Sequence, residues 1–278
     1  MIQSIAEVRA LEARGETRRT PCGAGQMIWH IWGEGPPLVL LHGGYGSWTH
    51  WVRSVEHFSR HYRVLAADLP GLGDSAAAPD PYTADSIAAI VTEGLASLVR
   101  PNDTIDLAGF SFGGLIGGHV TERLGERMKH LVLVGSGGTG IPRPTPVELV
   151  KWHLRVGAAA QREAHRENLA ILMMADPANI DTLAIDLQVE NAARARTKSR
   201  PLSRNPTLLK ALPKIKAKLS GIWGERDITA HGIMEETRKL LQSFQPEARF
   251  TVVPAAGHWV AYEAADAFNA ALLRHLRD

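Results

Sequence analysis

The chain has little of the cysteine, the charge imbalance and the long apolar runs that mark several classes of protein. Cys22 is the only cysteine in 278 residues, which excludes an internal disulfide and a thiolate metal site. The 31 lysines and arginines nearly balance the 29 aspartates and glutamates, so there is no electrostatic basis for binding nucleic acid. No stretch approaches the roughly 20 apolar residues of a membrane span, and the first residues lack the apolar run of a signal peptide. We therefore expect a soluble, cytoplasmic globular protein with neither a membrane nor a nucleic-acid partner.

Motifs for metals and nucleotides are also missing. Neither the His-Glu-x-x-His spacing of zinc proteases nor a P-loop lysine pattern occurs. Residues 135–140 match the dinucleotide pattern G-x-G-x-x-G, but Pro142 and Pro144 follow where a helix would have to begin to hold a pyrophosphate. We expect no metal and no cofactor, and we interpret 135–140 as a hinge.

What the sequence does contain is an alternation of β-like runs and helix-length segments. The apolar run Pro37–Leu41 is typical of a strand covered on both faces, whereas 26–32 alternates and predicts a half-exposed strand. Further predicted elements are strands at 62–67, 104–108, 130–134, 217–223 and 249–253 and helices at 4–14, 82–98, 112–124, 232–244 and 262–276. Repeated strand-then-helix order predicts an α/β fold, a mostly parallel sheet flanked by helices.

Residues 141–204 interrupt this alternation. They contain helical patterns at 147–156, 161–174 and 180–199 but no convincing strand. Prolines at 142, 144 and 146 lie at the start of this segment, and prolines at 201 and 206 lie at its end. We interpret 141–204 as a helical cap, or lid, inserted into a core domain formed by 1–140 and 205–278.

A serine nucleophile is indicated by Gly109-Phe110-Ser111-Phe112-Gly113, which lies between a predicted strand and a predicted helix. In such a sharp turn the central side chain projects outward, and the positions two residues away must be small to avoid collision. The N-terminus of the helix then favours developing negative charge beside Ser111.

A serine hydroxyl is a weak nucleophile that needs a base oriented by a third group. His258 follows a predicted strand and precedes the last helix, which places it at the carboxyl edge of the sheet. Asp227 follows the strand at 217–223 and is the predicted acid; Glu225 is its rival, which we expect to face solvent. The order Ser111, Asp227, His258 is the one that this nucleophile turn uses.

An oxyanion needs two backbone N–H donors. One is predicted from Phe112, after the nucleophile, and the second from Gly44 in the glycine-rich loop 42–46, with Tyr45 as an alternative. Four aromatic residues are candidates for lining an apolar substrate pocket: Tyr45, Phe110, Trp152 and Trp259. For Phe110, packing in the core is the stronger interpretation.

Together these motifs resemble the α/β-hydrolase superfamily. The resemblance rests on His-Gly-Gly at 42–44, Asp-Leu-Pro-Gly-Leu-Gly-Asp-Ser at 68–75, the Ser111 turn, Gly-Glu-Arg-Asp at 224–227 and Gly-His-Trp at 257–259. It implies the α/β-hydrolase fold, with the helical segment in the place of the superfamily's cap.

Within that superfamily, the chain is similar to carbon–carbon bond hydrolases of meta-cleavage products. The likeness lies in 257–259, in Glu263 and the Phe-Asn pair at 268–269, and in the glycine-rich stretch 135–138. It implies serine- and histidine-dependent hydrolysis of a vinylogous diketo acid. That family usually has asparagine where this chain has Phe110, and the cap arginine that grips its substrate carboxylate has two candidates here, Arg194 and Arg196.

These departures favour a cofactor-independent serine hydrolase that cleaves carboxylic esters through an acyl-enzyme. Carbon–carbon hydrolysis is the alternative, and a ligand-sensing receptor of the same fold is a third hypothesis. The expected partner is a small ester or diketo-acid substrate. The sequence leaves open whether the protein is a homo-oligomer.

Overall fold

A computed structural model describes residues 1–142 and 148–277 of the chain. The eight strands are β1 (Glu16–Cys22), β2 (Gly25–Trp32), β3 (Pro37–Leu41), β4 (Arg63–Ala67), β5 (Ile105–Phe110), β6 (Met128–Val134), β7 (Lys218–Gly224) and β8 (Arg249–Val253). The α-helices are α1 (Ile5–Arg14), α2 (Val55–Phe58), α3 (Ala84–Leu98), α4 (Phe112–Leu124), α5 (Ala158–Asn168), α6 (Thr182–Arg194), α7 (Ser199–Arg204), α8 (Thr207–Ala211), α9 (Met234–Phe244), α10 (Val260–Glu263) and α11 (Ala265–Arg277). None of the helices in the described ranges is long and apolar enough to cross a membrane.

All eight strands form one sheet in the order β1-β2-β4-β3-β5-β6-β7-β8. β1 and β2 are antiparallel, and β2 joins β4 antiparallel. From β4 to β8, every neighbouring pair is parallel. The mostly parallel α/β sheet is therefore confirmed, and the loops after β3, β5, β7 and β8 leave it at the same edge.

The hydrophobic core lies on both faces of this sheet. In β3, Leu38 and Leu40 contact one cluster, together with Val8 of α1 and Phe268 of α11. Val39 and Leu41 of the same strand contact a second cluster that contains residues of α3, α4 and α9. Alternate side chains of a strand point to opposite faces, so a run that is apolar throughout needs cover on both sides. The prediction for Pro37–Leu41 is confirmed.

The antiparallel end of the sheet differs from the sequence prediction. The strand predicted at 26–32 forms as β2, but its expected half-exposure is wrong, because every residue of β2 from Met27 to Trp32 is buried. The indole of Trp32 donates to the carbonyl of Leu11 in α1 (2.8 Å), and Trp29 on the other face packs beside α3. β1 lies next to β2 and was not predicted, because most of its polar side chains are exposed and give no apolar pattern.

Between β6 and β7, the described residues form helices and turns. The expected helices at 161–174 and 180–199 correspond to α5, its π-helical continuation Leu169–Met173, and α6. The expected helix at 147–156 is wrong over its described part, where only the 3₁₀ turn Trp152–Leu154 forms; its first residue and the proline run at 143–146 lie outside the described residues. The division into a core domain and a cap at 141–204 stays a prediction.

Candidate active site

Ser111 occupies the single-residue turn between β5 and α4. Its φ of 51° and ψ of −110° place it in a region that non-glycine residues rarely adopt. The backbone N–H of Ser111 donates to the carbonyl of Val134 in β6 (2.8 Å), which holds the turn against the sheet. The strained conformation is therefore fixed by the neighbouring strand.

The two glycines that flank this turn are required by close backbone contacts. A Cβ on Gly109 would lie 2.5 Å from the carbonyl oxygen of Gly113, and a Cβ on Gly113 would lie 2.2 Å from the carbonyl oxygen of Leu41. Both distances are far below van der Waals contact, and both obstacles are backbone atoms that cannot move aside. The structure thus shows the collision that the sequence predicted for any larger residue two positions from Ser111.

The three residues predicted as nucleophile, base and acid meet at the carboxyl edge of the sheet. His258 Nε2 lies 3.0 Å from Ser111 Oγ, and His258 Nδ1 lies 2.8 Å from Asp227 Oδ2. His258 is 4% exposed and Asp227 is 1% exposed. Because an ionised carboxylate only accepts, Nδ1 carries the proton and Nε2 is free to accept the hydroxyl proton of Ser111. This hydrogen-bond sequence allows proton transfer from serine to imidazole.

Thr229 supports the carboxylate of Asp227. Asp227 Oδ1 accepts hydrogen bonds from the backbone N–H (2.8 Å) and the hydroxyl (2.7 Å) of Thr229. The second oxygen of Asp227 is thereby directed at His258. Sequence reasoning missed Thr229, although an aspartate that accepts from the backbone two residues later is a common turn motif. The rival acid Glu225 is exposed, as predicted, and accepts from the N–H of Ala255.

The loop that carries His258 is held on both sides of the histidine. The N–H of Gly257 donates to Glu263 Oε2 (2.6 Å), and the N–H of Trp259 donates to the carbonyl of Met173 (2.8 Å). The indole N–H of Trp259 donates to the carbonyl of His50 (2.8 Å). These contacts fix the position of the imidazole relative to the sheet.

The predicted oxyanion donors, Gly44 and Phe112, line the same cavity as Ser111. Phe112 begins α4, where backbone N–H groups have no partner within the helix. Gly44 packs against Ser199, whose Oγ lies 2.1 Å from the place that a Cβ on Gly44 would occupy. Tyr45, the alternative donor, has a φ of 53° and is 37% exposed. The assignment of Gly44 and Phe112 as the oxyanion hole stays a prediction.

Two buried histidines fix the loop that carries Gly44. His42 Nδ1 lies 2.7 Å from the carbonyl oxygen of Gly43, and His50 Nδ1 accepts from the N–H of Gly43 (3.2 Å). Burial lowers the pKa of both histidines, and the proximity of His42 and His258 lowers the pKa of His50 further. His50 thus stays neutral and keeps the lone pair that accepts from Gly43. Nothing in the sequence pattern indicated this role for His50.

A cavity of about 790 Å³ opens above Ser111 and extends under the helices between β6 and β7. Its lining includes Tyr45, Phe110 and Trp152. Trp259 is not among the described residues that line it, so the assignment of Trp259 as a pocket residue is corrected. Its indole is 1% exposed and stacks on Tyr262 with 4.2 Å between ring centroids.

The charged residues that line the cavity are all basic. Lys151, Arg200 and Arg204 line it, and no aspartate or glutamate does so within residues 1–142 and 148–277. Arg200 and Arg204 lie one turn apart on α7, and neither guanidinium makes an ion pair or hydrogen bond with another described residue. The cavity therefore favours an anionic group near α7.

The two arginines that the sequence offered for a substrate carboxylate lie elsewhere. Arg194 pairs with Asp74 (2.8 Å) and Glu190 (3.1 Å). Burial lowers the pKa of Arg194, but the hydrogen bond to Asp74 and the charges of Asp74 and Glu190 outweigh burial and raise the pKa overall. Arg196 donates to the carbonyl of Ser75. Neither is among the described residues that line the cavity. Helix α7 was not predicted as an element of its own, which is why Arg200 and Arg204 were missed.

No cluster of three or more histidine, cysteine, aspartate or glutamate side chains with the geometry of a metal site occurs within the described ranges.

Comparisons with known proteins agree with this geometry. A profile described as the alpha/beta hydrolase family matches residues 38–271. The chain is 30% identical to 2-hydroxy-6-oxo-6-phenylhexa-2,4-dienoate hydrolase of Burkholderia cepacia, over 85% of this chain and 86% of that protein. The solved structure of carboxylesterase CesB from Bacillus subtilis is similar with a TM-score of 0.77 at 21% identity, covering 98% of this chain and 95% of that one. The meta-cleavage product hydrolase CumD from Pseudomonas fluorescens gives a TM-score of 0.72 at 21% identity, covering 93% and 97%. The two structures confirm the predicted fold class.

Proposed function

The chain belongs to the alpha/beta hydrolase family and is a hydrolase, and from this premise we propose that it cleaves carboxylic esters by a Ser-His-Asp triad. The observation that carries the proposal is the position of His258, within hydrogen-bond distance of both Ser111 Oγ (3.0 Å) and Asp227 Oδ2 (2.8 Å). The opening of a large cavity over Ser111 supports it, because a substrate can reach the hydroxyl.

In the first half-reaction, Ser111 Oγ attacks the ester carbonyl while His258 Nε2 takes the hydroxyl proton. The tetrahedral intermediate collapses as the bond to the leaving oxygen breaks, and His258 returns the proton to the departing alcohol. In the second half-reaction, His258 takes a proton from water, whose oxygen attacks the acyl carbon. Breaking the bond to Ser111 Oγ releases the acid and restores the serine proton.

The other residues of the site stabilise this sequence. Asp227 holds the Nδ1–H tautomer of His258 and stabilises the imidazolium that forms. The N–H groups of Phe112 and Gly44 are the proposed donors to the oxyanion, and loss of one such donor typically costs about 3 kcal/mol in the transition state.

Phe110 supports the ester reading. Its ring lies 4.9 Å from the ring of His258 and lines the cavity, so this position offers no polar group beside the imidazole. Ester hydrolysis needs proton transfer only between oxygen atoms and His258. Carbon–carbon hydrolysis must also deliver a proton to a substrate carbon, for which an additional polar group at this position would be useful.

Carbon–carbon bond hydrolysis is a second candidate because of the relatives and the charge of the cavity. The relative of Burkholderia cepacia is named for a dienoate, a carboxylate substrate. Lys151, Arg200 and Arg204 line the cavity and would favour such an anion.

The two candidates are separated by assaying one short p-nitrophenyl ester and one coloured dienoic diketo acid with the wild type and Ser111→Ala. The ester proposal predicts a higher kcat/KM for the ester and a loss of at least about 1,000-fold in Ser111→Ala. Faster turnover of the diketo acid would instead favour the second candidate. Ester hydrolysis that Ser111→Ala leaves unchanged would contradict the triad.

A further inference from the structure

Residues 149–168 form one wall of the cavity, and this wall contains a buried histidine without a hydrogen-bond partner. His165 lies on α5, is 2% exposed and lines the cavity. Neither of its ring nitrogens forms a hydrogen bond with another described residue, and Nδ1 is fully buried. Buried polar groups are normally satisfied. Since Nδ1 has no accessible surface, a ligand in the cavity would pair with Nε2.

The charge state of His165 restricts what it can bind. Burial lowers its pKa, so the imidazole is neutral near pH 7 and offers one N–H donor and one lone pair. A hydroxyl group is both a donor and an acceptor, so it can pair with either tautomer. An anion is better accommodated at Arg200 and Arg204 in the same cavity.

Trp152 places an aromatic face beside this imidazole. The two rings have centroids 4.8 Å apart and an interplanar angle of 35°. The side chain of Asn168 holds the backbone that precedes Trp152, since it accepts from the N–H of Val150 (2.8 Å) and donates to its carbonyl (3.0 Å). Trp152 and Asn168 also line the cavity. An aromatic face and a hydrogen-bonding group are therefore held together at one place.

We propose that Trp152 and His165 form a specificity subsite that recognises a hydroxylated aromatic ring carried by the substrate. The ring packs against Trp152, and its hydroxyl pairs with His165. The proposal rests on the proposed function in that it places the substrate in the cavity of Ser111. A site built to pair with a hydroxyl discriminates strongly against the analogue that lacks it, because its own polar group is then left buried without a partner.

The test uses two matched series of p-nitrophenyl esters of increasing chain length, one ending in a 4-hydroxyphenyl ring and the other in phenyl. At the best-fitting length, we expect the wild type to prefer the hydroxylated ester in kcat/KM by about tenfold. In His165→Phe the preference falls to about one, whereas His165→Gln, which keeps a hydrogen-bonding amide, retains part of it. If His165 had a purely structural role, its substitution would lower kcat/KM for both esters together and leave their ratio unchanged.

His119→Phe is the matched control. His119 is also a buried histidine with a lowered pKa and an unsatisfied Nε2, but it is not among the described residues that line the cavity. Its substitution should leave the ratio as in the wild type. Absence of a preference at every chain length, or an unchanged ratio in folded His165→Phe, would overturn the proposal.

Binding of the same esters to Ser111→Ala, measured by calorimetry, separates this inference from the proposed function. If the hydroxylated ester binds about tenfold more tightly but the wild type does not turn it over, the subsite stands and the ester proposal fails. If the wild type hydrolyses both esters equally and Ser111→Ala binds them equally, the subsite fails and the ester proposal stands.

Discussion

Thr229 determines which oxygen of Asp227 faces the imidazole of His258. Its backbone N–H and its hydroxyl both donate to Oδ1, which leaves Oδ2 for Nδ1 of His258. Its hydroxyl also lies 3.3 Å from the same Nδ1. The carboxylate is buried, so it has no solvent to replace a lost donor. The orientation of the triad thus depends on a residue outside it, which also lines the cavity.

Replacing Thr229 with valine removes the hydroxyl but keeps the backbone donor and the side-chain shape. A buried hydrogen bond to a charged group is worth about 1–3 kcal/mol. We expect kcat to fall by about tenfold or more with little change in KM, because the loss affects orientation of the base and not binding.

The control for this measurement is Thr92→Val, which deletes a hydroxyl that donates to the carbonyl of Ala88 within α3. It should leave kcat within about twofold of the wild type, because it lies away from the cavity. Equal kcat in Thr229→Val and in the wild type would show that the backbone N–H alone orients Asp227.

At the scale of elements, most of the parallel strands could be predicted because they are apolar runs covered on both faces; the edge strand β8 is only partly buried. β3 and β8 begin and end where the sequence placed them, and α4 has the predicted bounds Phe112–Leu124. The antiparallel end was harder, because β1 pairs with β2 along its whole length but buries only Thr20 and Cys22 of its own residues. The predicted helix at 262–276 is divided into α10 and α11 by Ala264, a break that no glycine or proline announces.

The helices between β6 and β7 were predicted less well for a related reason. Several of their side chains line a cavity and do not pack into a core, so polar residues stand at inward positions and weaken the helical periodicity. Helix α7, with the sequence Ser-Arg-Pro-Leu-Ser-Arg, is an example. The candidate triad was predictable because each member follows a strand in a short motif, whereas His50 and His165 carry no such motif. Thr229 acts on Asp227 from two residues away, in a turn that the sequence could have indicated.

The nucleophile turn yields a prediction at this scale. Gly113→Ala would place a methyl group about 2.2 Å from the backbone oxygen of Leu41, so α4 would have to move away from the sheet. We expect a loss of about 3 kcal/mol or more in the free energy of unfolding, measured by chemical denaturation, together with loss of activity.

The matched substitution on the same helix is Gly118→Ala. The nearest atom there is Cδ1 of Leu208, the end of a flexible side chain, and alanine gains helix propensity over glycine. We expect Gly118→Ala to lower the free energy of unfolding by about 2 kcal/mol less than Gly113→Ala does. Equal losses in the two variants would contradict the account of the turn.

For the whole molecule, buried histidines predict how stability depends on pH. Burial lowers the pKa of His42, His50, His119 and His165. Each of them binds a proton more readily in the unfolded chain than in the fold. Their contribution to stability is therefore complete above the unfolded pKa of about 6.5 and is lost as the pH falls through that value towards the folded pKa.

We therefore expect the free energy of unfolding to decrease between about pH 7.5 and pH 5.5, by up to about 1.4 kcal/mol per pH unit for each proton taken up only on unfolding. His119→Gln removes one such group without touching the cavity and should flatten the dependence. Chemical denaturation at several pH values measures both effects, and a stability that is constant over this range would refute the prediction.

The whole chain is organised to bring three loops from one edge of the sheet together, and the central claim is that this makes Ser111 a nucleophile. The most direct measurement is mass spectrometry of protein quenched soon after mixing with a p-nitrophenyl ester. The account predicts a mass increase equal to the acyl group, on the peptide that contains Ser111, which disappears as turnover ends and is absent in Ser111→Ala. Release of p-nitrophenol accompanied by an acyl group on a different residue would contradict it.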